Sequence, residues 1–257
     1  MTRVLVTGAG GFVGRHFLTL IHETRLDIEI LPSSLDITDI DAVEQTVTAL
    51  RPDAVFHFAA VSNIGAARSA PERAWKVNLQ GTLNVAQAIR RTVPNCLLVF
   101  ASSAEVYGDS FRSGMSLDES AALAPSNTYS ATKAAADLAL GALAHEGLQT
   151  VRMRPFNHTG PGQAETFVVP AFARQLALIE AGQQEPVISV GNLAAERDFL
   201  DVKDVCAAYL ACLSRAENLV PGSIFNLCSG YTRSIHSILD DLLRISGLTV
   251  RVEIAPE

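Results

Sequence analysis

The chain has 257 residues, 48% of them hydrophobic and 18% charged, with a formal net charge of -7. That length holds one large core, or one core with a smaller appendage, and the acidic balance excludes an electrostatic footprint for nucleic acid or for an anionic membrane. No stretch is apolar for long enough to span a bilayer, and a strand begins almost at once at Arg3-Val4, which leaves no room for a secretory leader and points to a cytoplasmic protein.

The predicted elements alternate. A strand over 4–7 runs into Thr7-Gly8-Ala9-Gly10-Gly11-Phe12-Val13-Gly14 and a helix over 11–23. A second strand, 28–31, ends at Pro32, and the segment Leu35-Asp36-Ile37-Thr38-Asp39 leads to a helix over 40–50, stopped by Arg51-Pro52. The buried strand Asp53-Ala54-Val55-Phe56-His57-Phe58 passes into Ala59-Ala60, and 71–91 reads as one long helix. A strand over 97–101 delivers Ser102 and Ser103 at its end, and an alanine-rich helix over 127–145 follows. The strand 150–154 ends at Pro155-Phe156-Asn157-His158. Later come helices at 168–181, 202–215 and 234–245, strands at 187–190, 223–227 and 249–254, and the segment Arg197-Asp198-Phe199-Leu200.

Strictly alternating strands and helices predict an α/β protein with a single doubly wound parallel sheet, a Rossmann fold, and a smaller C-terminal part interleaved with returning strands. We place the dinucleotide-binding part at 1–160 and a mainly substrate-binding part at 161–257. The four cysteines, Cys96, Cys206, Cys212 and Cys228, fit neither a zinc motif nor a C-x-x-C pair and read as reduced, buried residues. His57 and His158 lack metal-ligand companions and read as structural.

Gly8, Gly11 and Gly14 follow a strand directly and open a helix. The first permits a tight turn, the second lets a pyrophosphate approach the backbone, and the third lets helix and strand close together under the positive end of the helix dipole. At the end of the second strand, Leu31-Pro32-Ser33-Ser34 offers no carboxylate for a ribose 2′-hydroxyl, and serine hydroxyls can accept a phosphate, so NADPH is favoured over NAD. Asp36 and Ile37 lie where an adenine amino group can be met, although Asp36 could instead start the helix, a role for which Asp39 competes.

Tyr129-Ser130-Ala131-Thr132-Lys133 puts a phenol and an ammonium on one helical face. A free phenol titrates near pH 10, and a neighbouring cation lowers that value, which suits proton exchange with an alcohol or sugar oxygen during hydride transfer.

Six ordered motifs resemble the extended short-chain dehydrogenase/reductase family, in its nucleotide-sugar branch. They are Thr7 to Gly14, His57-Phe58-Ala59-Ala60, Val77-Asn78-Leu79-Gln80-Gly81-Thr82, Ser102-Ser103-Ala104-Glu105-Val106-Tyr107-Gly108, Tyr129 to Lys133, and Arg154-Pro155-Phe156-Asn157 with Arg197-Asp198-Phe199-Leu200 downstream. The run Arg154 to Gln163 is most similar to the reductases of GDP-4-keto-6-deoxy-D-mannose in that branch. The resemblance implies Tyr129 as the acid-base group, Lys133 holding the nicotinamide ribose, and Ser103 bonding the reacting sugar oxygen. It further implies cofactor contacts at Phe12, Val13, Ala59, Ala60 and Pro155, with Asn78 behind the active site. Asn157 and Arg197 then contact the nucleotide diphosphate, where a guanidinium matches paired oxygens; from its neighbours alone, Arg197 could equally pair with Asp198 or Asp201. A homodimer through helices 71–91 and 127–145 is also implied.

Glu105 keeps alternatives open. In the 4,6-dehydratases of the family a glutamate at this place takes a C5 proton, but the dTDP-glucose type has an aspartate where Ala104 stands. A 4-epimerase needs no Glu105. The expected activity is reduction of the C4 keto group of a GDP-4-keto-6-deoxy-hexose, ahead of epimerase or dehydratase with tightly bound NAD, and of a non-catalytic dinucleotide sensor. The resemblance stops at Ala255-Pro256-Glu257, where members usually continue with helix and loop contacts to the substrate lid.

Overall fold

The computed structural model describes residues 1–24, 26–32 and 34–254. Ser33, part of the cofactor-selectivity argument, and residues 255–257 lie outside the described residues. In chain order the elements are β1 (Thr2–Thr7), α1 (Phe12–Thr24), β2 (Ile28–Leu31), α2 (Ile40–Leu50), β3 (Ala54–His57), α3 (Ile64–Ser69), α4 (Pro71–Trp75), α5 (Thr82–Thr92), β4 (Leu97–Ala101), α6 (Thr128–His145) and β5 (Thr150–Pro155). There follow β6 (Asn157–Thr159), α7 (Val168–Glu180), β7 (Val187–Val190), β8 (Glu196–Asp201), α8 (Val202–Ser214), β9 (Ser223–Leu227), β10 (Thr232–Ser234), α9 (Ile235–Ser246) and β11 (Arg251–Ile254).

The chain divides into two units. Met1–Phe156 with Lys203–Leu227 forms the first, and Asn157–Val202 with Cys228 onward forms the second. The first is a six-stranded sheet of order β2-β1-β3-β4-β5-β9, parallel throughout. Alternation along buried strands decides which side chains meet which helices. Leu5, Val55, Leu98 and Phe100 face Val43 and Val47 of α2, Val85 and Ile89 of α5, and Leu140 of α6. On the other face Phe56 meets Phe17 of α1 with ring centroids 4.4 Å apart, and Phe58 meets Tyr209 of α8 at 4.9 Å. The pairing of Thr7 with His57, and of His57 with Phe100, aligns the carboxyl ends of β1, β3 and β4. The strand order reverses between β1 and β3, the place where open α/β sheets take ligands.

The second unit has its own core of Phe172, Leu176, Ile188, Val190, Ile235 and Leu239. It carries a three-stranded sheet, β10-β8-β6, and a two-stranded one, β11-β7. The single sheet expected from the sequence is therefore joined by two small ones. β6 and β10 are three residues each and have no alternation to betray them.

Two other expectations need correcting. The helix expected over 71–91 starts as α4, widens into a π-helical stretch at Lys76–Gly81, and resumes as α5; α3, capped by the Asn63 side chain, precedes it. Of the cysteines, Cys96, Cys206 and Cys212 are buried but Cys228 is exposed.

Between β4 and α6 the chain turns through the 3-10 segment Ala104–Ser113, broken at Gly108 with φ 47° and ψ -118°. There it crosses Ala124-Pro125, with Asp109 N donating to Ala124 O at 2.9 Å. A Cβ on Gly108 would lie 2.8 Å from Pro125 Cα and strike the Ala124 carbonyl. We expect Gly108→Ala to cost about 3 kcal/mol or more, from backbone strain and collision together. Unfolding in urea at unchanged slope would measure it, and a loss below about 1 kcal/mol would contradict the assignment.

Candidate active site

The glycine turn leaves β1 at Gly8, whose φ of 72° only glycine adopts without strain. A Cβ there would sit 2.5 Å from Ala59 N, so the turn lies directly on the backbone following β3. Gly11 N closes the turn onto Gly8 O at 2.9 Å. A Cβ on Gly14 would come within 2.8 Å of Ala9 Cα, so the start of α1 rests against the turn. The first turn of α1 holds no acidic residue, leaving its N-terminal amides and dipole suited to an anion. Gly10 and Gly11 are exposed and Phe12 and Val13 half-buried. These features fit a dinucleotide pyrophosphate, the group the glycine spacing implies.

Asp36 is exposed, and its Oδ1 accepts from both Thr38 N and Thr38 Oγ1 at 2.9 Å. The cap of α2 goes to Asp39, which accepts from Ala42 N at 3.0 Å. Ile37 is buried, and its carbonyl accepts from Asn84 Nδ2 at 3.0 Å. Ala59 and Ala60 follow β3 half-buried, and Pro155 ends β5 opposite Leu227 of β9.

α6 starts with a capping box. Asn127 Oδ1 accepts from Ser130 N at 3.0 Å, and Ser130 Oγ accepts from Asn127 N at 3.1 Å. This fixes the first helical turn, and with it Tyr129. Ser103, buried at the end of β4, accepts from Glu105 N at 3.1 Å and bonds the Tyr129 phenol. Burial pushes Tyr129 up to about 12, the Ser103 bond works against that rise, and the Glu105 charge adds to it. The expected lowering by Lys133 is not what the site displays. The Lys133 ammonium donates to Ala101 O at 2.6 Å and lies 4.9 Å from the centre of the Phe100 ring. Burial brings Lys133 down to about 8, opposed by the Asp137 charge. Glu105 is half-buried beside this group, and Ala104 next to it is buried.

Asn78, on the π-helical stretch, is buried rather than on the helix surface that its position along an amphipathic run suggests. Its side chain accepts from Val61 N at 2.8 Å and donates to Val61 O at 3.1 Å and to Thr132 Oγ1 at 2.9 Å.

Sequence reasoning missed Asp137. It lies four residues after Lys133 and eight after Tyr129, on the same helical stripe, and is fully buried. It accepts from Ser102 Oγ at 2.6 Å, from Arg152 Nη1 at 3.0 Å, and from Arg154 Nε and Nη2 at 3.0 and 2.9 Å. Arg154 also donates to Tyr107 Oη at 2.8 Å, and Tyr107 donates to Asn226 Oδ1 at 2.8 Å. Two arginines in a buried strand were the available signal, since such charges require a partner.

In the second unit Asn157 and Arg197 occupy neighbouring strands, β6 and β8, with Asn157 paired to Phe199. Both are exposed. Arg197 Nη1 donates to Glu196 O at 2.7 Å, and among the described residues it forms no ion pair. Asp198 is instead occupied by Ser229 N and Gly230 N at 2.9 and 2.8 Å. His158 lies in β6, its carbonyl accepting from Gln163 Nε2 at 3.0 Å. No helix among the described residues is long and apolar enough to cross a membrane.

Comparison with known proteins adds three findings. The family model for the NAD dependent epimerase/dehydratase family matches residues 4–228. Among curated proteins, the chain is 35% identical over 253 residues to a GDP-6-deoxy-D-mannose reductase from Pseudomonas aeruginosa, covering 97% of this chain and 82% of that one. Among solved structures, the RMD protein of Pseudomonas aeruginosa complexed with NADPH matches with a TM-score of 0.92 at 33% identity, over 99% of this chain and 85% of that one. A UDP-glucose 4-epimerase of Thermus thermophilus in complex with NAD matches with a TM-score of 0.85 at 27% identity, over 99% and 86%.

Proposed function

Because the chain belongs to the NAD dependent epimerase/dehydratase family, we propose that it reduces the C4 keto group of a GDP-4-keto-6-deoxy-hexose, taking NADPH in preference to NADH. The reading rests chiefly on 35% identity over 97% of the chain to a GDP-6-deoxy-D-mannose reductase. The presence of Ser103, Tyr129 and Lys133 in one small region supports it. When bound, the nicotinamide supplies hydride to the carbonyl carbon.

The chain's own residues do the rest. Gly8, Gly11 and Gly14, with Phe12 and Val13 at the start of α1, would hold the pyrophosphate. Asp36, Ile37, Ala59, Ala60 and Pro155 would line the adenosine and nicotinamide ends, with Asn78 behind. Tyr129, protonated at neutral pH because burial holds it near 12, gives its proton to the C4 oxygen. Ser103, whose oxygen is held by the Glu105 amide, would turn its single hydrogen from the Tyr129 phenol to that same oxygen. Lys133, its ammonium held by Ala101 O in this structure, would bond the nicotinamide ribose. Asn157 and Arg197 would hold the diphosphate, a remote anchoring that keeps the reacting atoms aligned.

Glu105 favours a second reading, a 4,6-dehydratase, since a carboxylate stands close enough to Tyr129 to raise its pKa. The buried Ala104 beside it offers no acid to help a hydroxide leave. Reduction at C4 needs no C5 proton abstraction, so Glu105→Gln should change the reduction rate less than about tenfold, below the ~10²–10⁴-fold of a true acid-base group. The same preparation separates the readings, because a reductase releases its oxidised cofactor each cycle and should purify largely empty. Protein that purifies saturated with nicotinamide and loses all turnover in Glu105→Gln would overturn the reductase.

We further place the protein in the cytoplasm as a homodimer through α4, α5 and α6. On α6, Ala131, Ala135, Leu138 and Ala142 recur at helical spacing and are exposed or half-buried; Leu138 is 60% exposed and Trp75 on α4 is 41% exposed. An apolar stripe of small residues lets a partner helix approach closely. Light scattering at micromolar protein should give twice the chain mass, and a monomeric mass would count against the dimer.

A further inference from the structure

His57 is buried at 1% exposure, with both ring nitrogens engaged. Nδ1 lies 2.6 Å from Thr7 Oγ1 at the end of β1, and Nε2 lies 2.9 Å from Thr82 Oγ1 on α5. The directions follow from the neighbours. Thr82 donates its hydrogen to Asn78 O at 2.7 Å, so its oxygen receives the hydrogen from Nε2. Thr7 Oγ1 accepts from Ala59 N at 3.4 Å and donates its own hydrogen to Nδ1. Only a neutral imidazole carrying hydrogen on Nε2 satisfies both ends. Beyond Asn78 the chain continues, because Asn78 Nδ2 donates to Thr132 Oγ1 at 2.9 Å and Thr132 donates to the Tyr129 carbonyl at 2.8 Å.

One unbroken series of hydrogen bonds thus runs from the residue before Gly8 to the first turn of α6. Thr7, Thr82, Asn78 and Thr132 are each at most 2% exposed. Sheltered bonds of this kind fix the elements they join, since a lost partner leaves a buried donor or acceptor unmet. Burial, and then the Lys133 charge, bring His57 down to about 3, which keeps the ring neutral across the working range. The ring also stacks on Phe100 at 5.9 Å.

We propose that His57 is a positioning residue, held as the neutral Nε2–H tautomer, whose hydrogen bonds fix the glycine turn against the start of α6 and so set the distance from the bound cofactor to Tyr129. This rests on the reductase reading for its catalytic consequence, though the tautomer and the linkage stand without it. The ring takes no part in proton transfer itself.

The first test uses the protein without cofactor. Nitrogen-15 NMR of labelled histidine should find His57 protonated on Nε2 and bare on Nδ1 from pH 8 down to about pH 5, far above its folded titration. A ring protonated on Nδ1 at pH 7, alone or with Nε2, overturns the proposal. The second test cuts the series away from the ring with Thr82→Val, which keeps the β-branched shape. We expect kcat to fall about tenfold with NADPH affinity and KM little changed, since misplacing a reacting group is paid for in rate more than in binding. Thr7→Val breaks the series from its other end and serves if Thr82→Val folds poorly. His57→Gln combined with Thr82→Val should lose little more than the single changes, because both sever one linkage. Folded variants with wild-type kcat, or fully additive losses, would reduce the series to a stabilising role and sink the proposal. A wild type inert towards every keto-sugar nucleotide would instead overturn the reductase reading and with it the catalytic role, while the NMR result would still report on the linkage.

Discussion

Tyr129→Phe should fold normally, bind NADPH with unchanged affinity and lose nearly all turnover. The substitution keeps the ring that is half-buried in the first turn of α6 and removes only the hydroxyl that Ser103 bonds. Reduction of a ketone must end with a proton on the new alcohol, and in this site Tyr129 is the group poised to give it. Groups of this kind contribute ~10²–10⁴-fold in rate, so kcat should fall within that range. Lys133→Met should differ in kind, weakening cofactor binding as well, because Lys133 has both a charge to supply and a ribose to hold. Steady-state kinetics beside a fluorescence titration of NADPH separates the two effects. Wild-type turnover in the phenylalanine variant would end the mechanism.

The second large effect concerns stability. Asp137 is wholly buried and pairs with both Arg152 and Arg154, whose side chains are 12% and 3% exposed. In Asp137→Asn one carboxylate oxygen becomes an amide N–H₂ facing donors from Ser102 or the arginines, and two buried cations lose their counter-charge. Breaking a buried pair from one side costs about 3–5 kcal/mol, because the remaining charges stay desolvated. Urea unfolding should move to lower midpoint by that amount at unchanged slope. Catalysis should suffer too, since Ser102 at the end of β4 donates to this carboxylate and Ser103 follows it directly. A loss below about 1 kcal/mol would show that the cluster is solvated or rearranges easily.

Features legible in the sequence were those written in short spacings. The glycine turn, the tyrosine four residues before a lysine, and the serine at a strand end each depend on one element and its neighbour. The parallel sheet was legible because its strands are buried runs separated by amphipathic helices. Asp137 was missed because its arginine partners lie on β5, fifteen and seventeen residues further on, and nothing local to α6 requires a charge there. The Tyr107 bond to Asn226 joins residues 119 apart in the chain, beyond any periodicity. The π-helical widening at Lys76–Gly81 shares its apolar pattern with an ordinary helix, so 71–91 read as one unbroken helix. The Tyr129 pKa goes the other way from expectation because burial outweighs the Ser103 bond, while the Lys133 ammonium is turned towards Ala101 O. Fifty residues separate Thr7 from His57, and only the sheet register brings them side by side.

Net reduction at C4 of a GDP-linked keto sugar must consume one reduced nicotinamide for each sugar turned over. The protein should be mixed with GDP-4-keto-6-deoxymannose and a known amount of NADPH, following absorbance of the reduced nicotinamide together with the sugar product. Under net reduction at C4, one NADPH is oxidised for each 4-hydroxy product formed, with NADH the poorer donor. Turnover of GDP-mannose or a UDP-sugar with nicotinamide returned unchanged, and none of the keto sugar reduced, would contradict it.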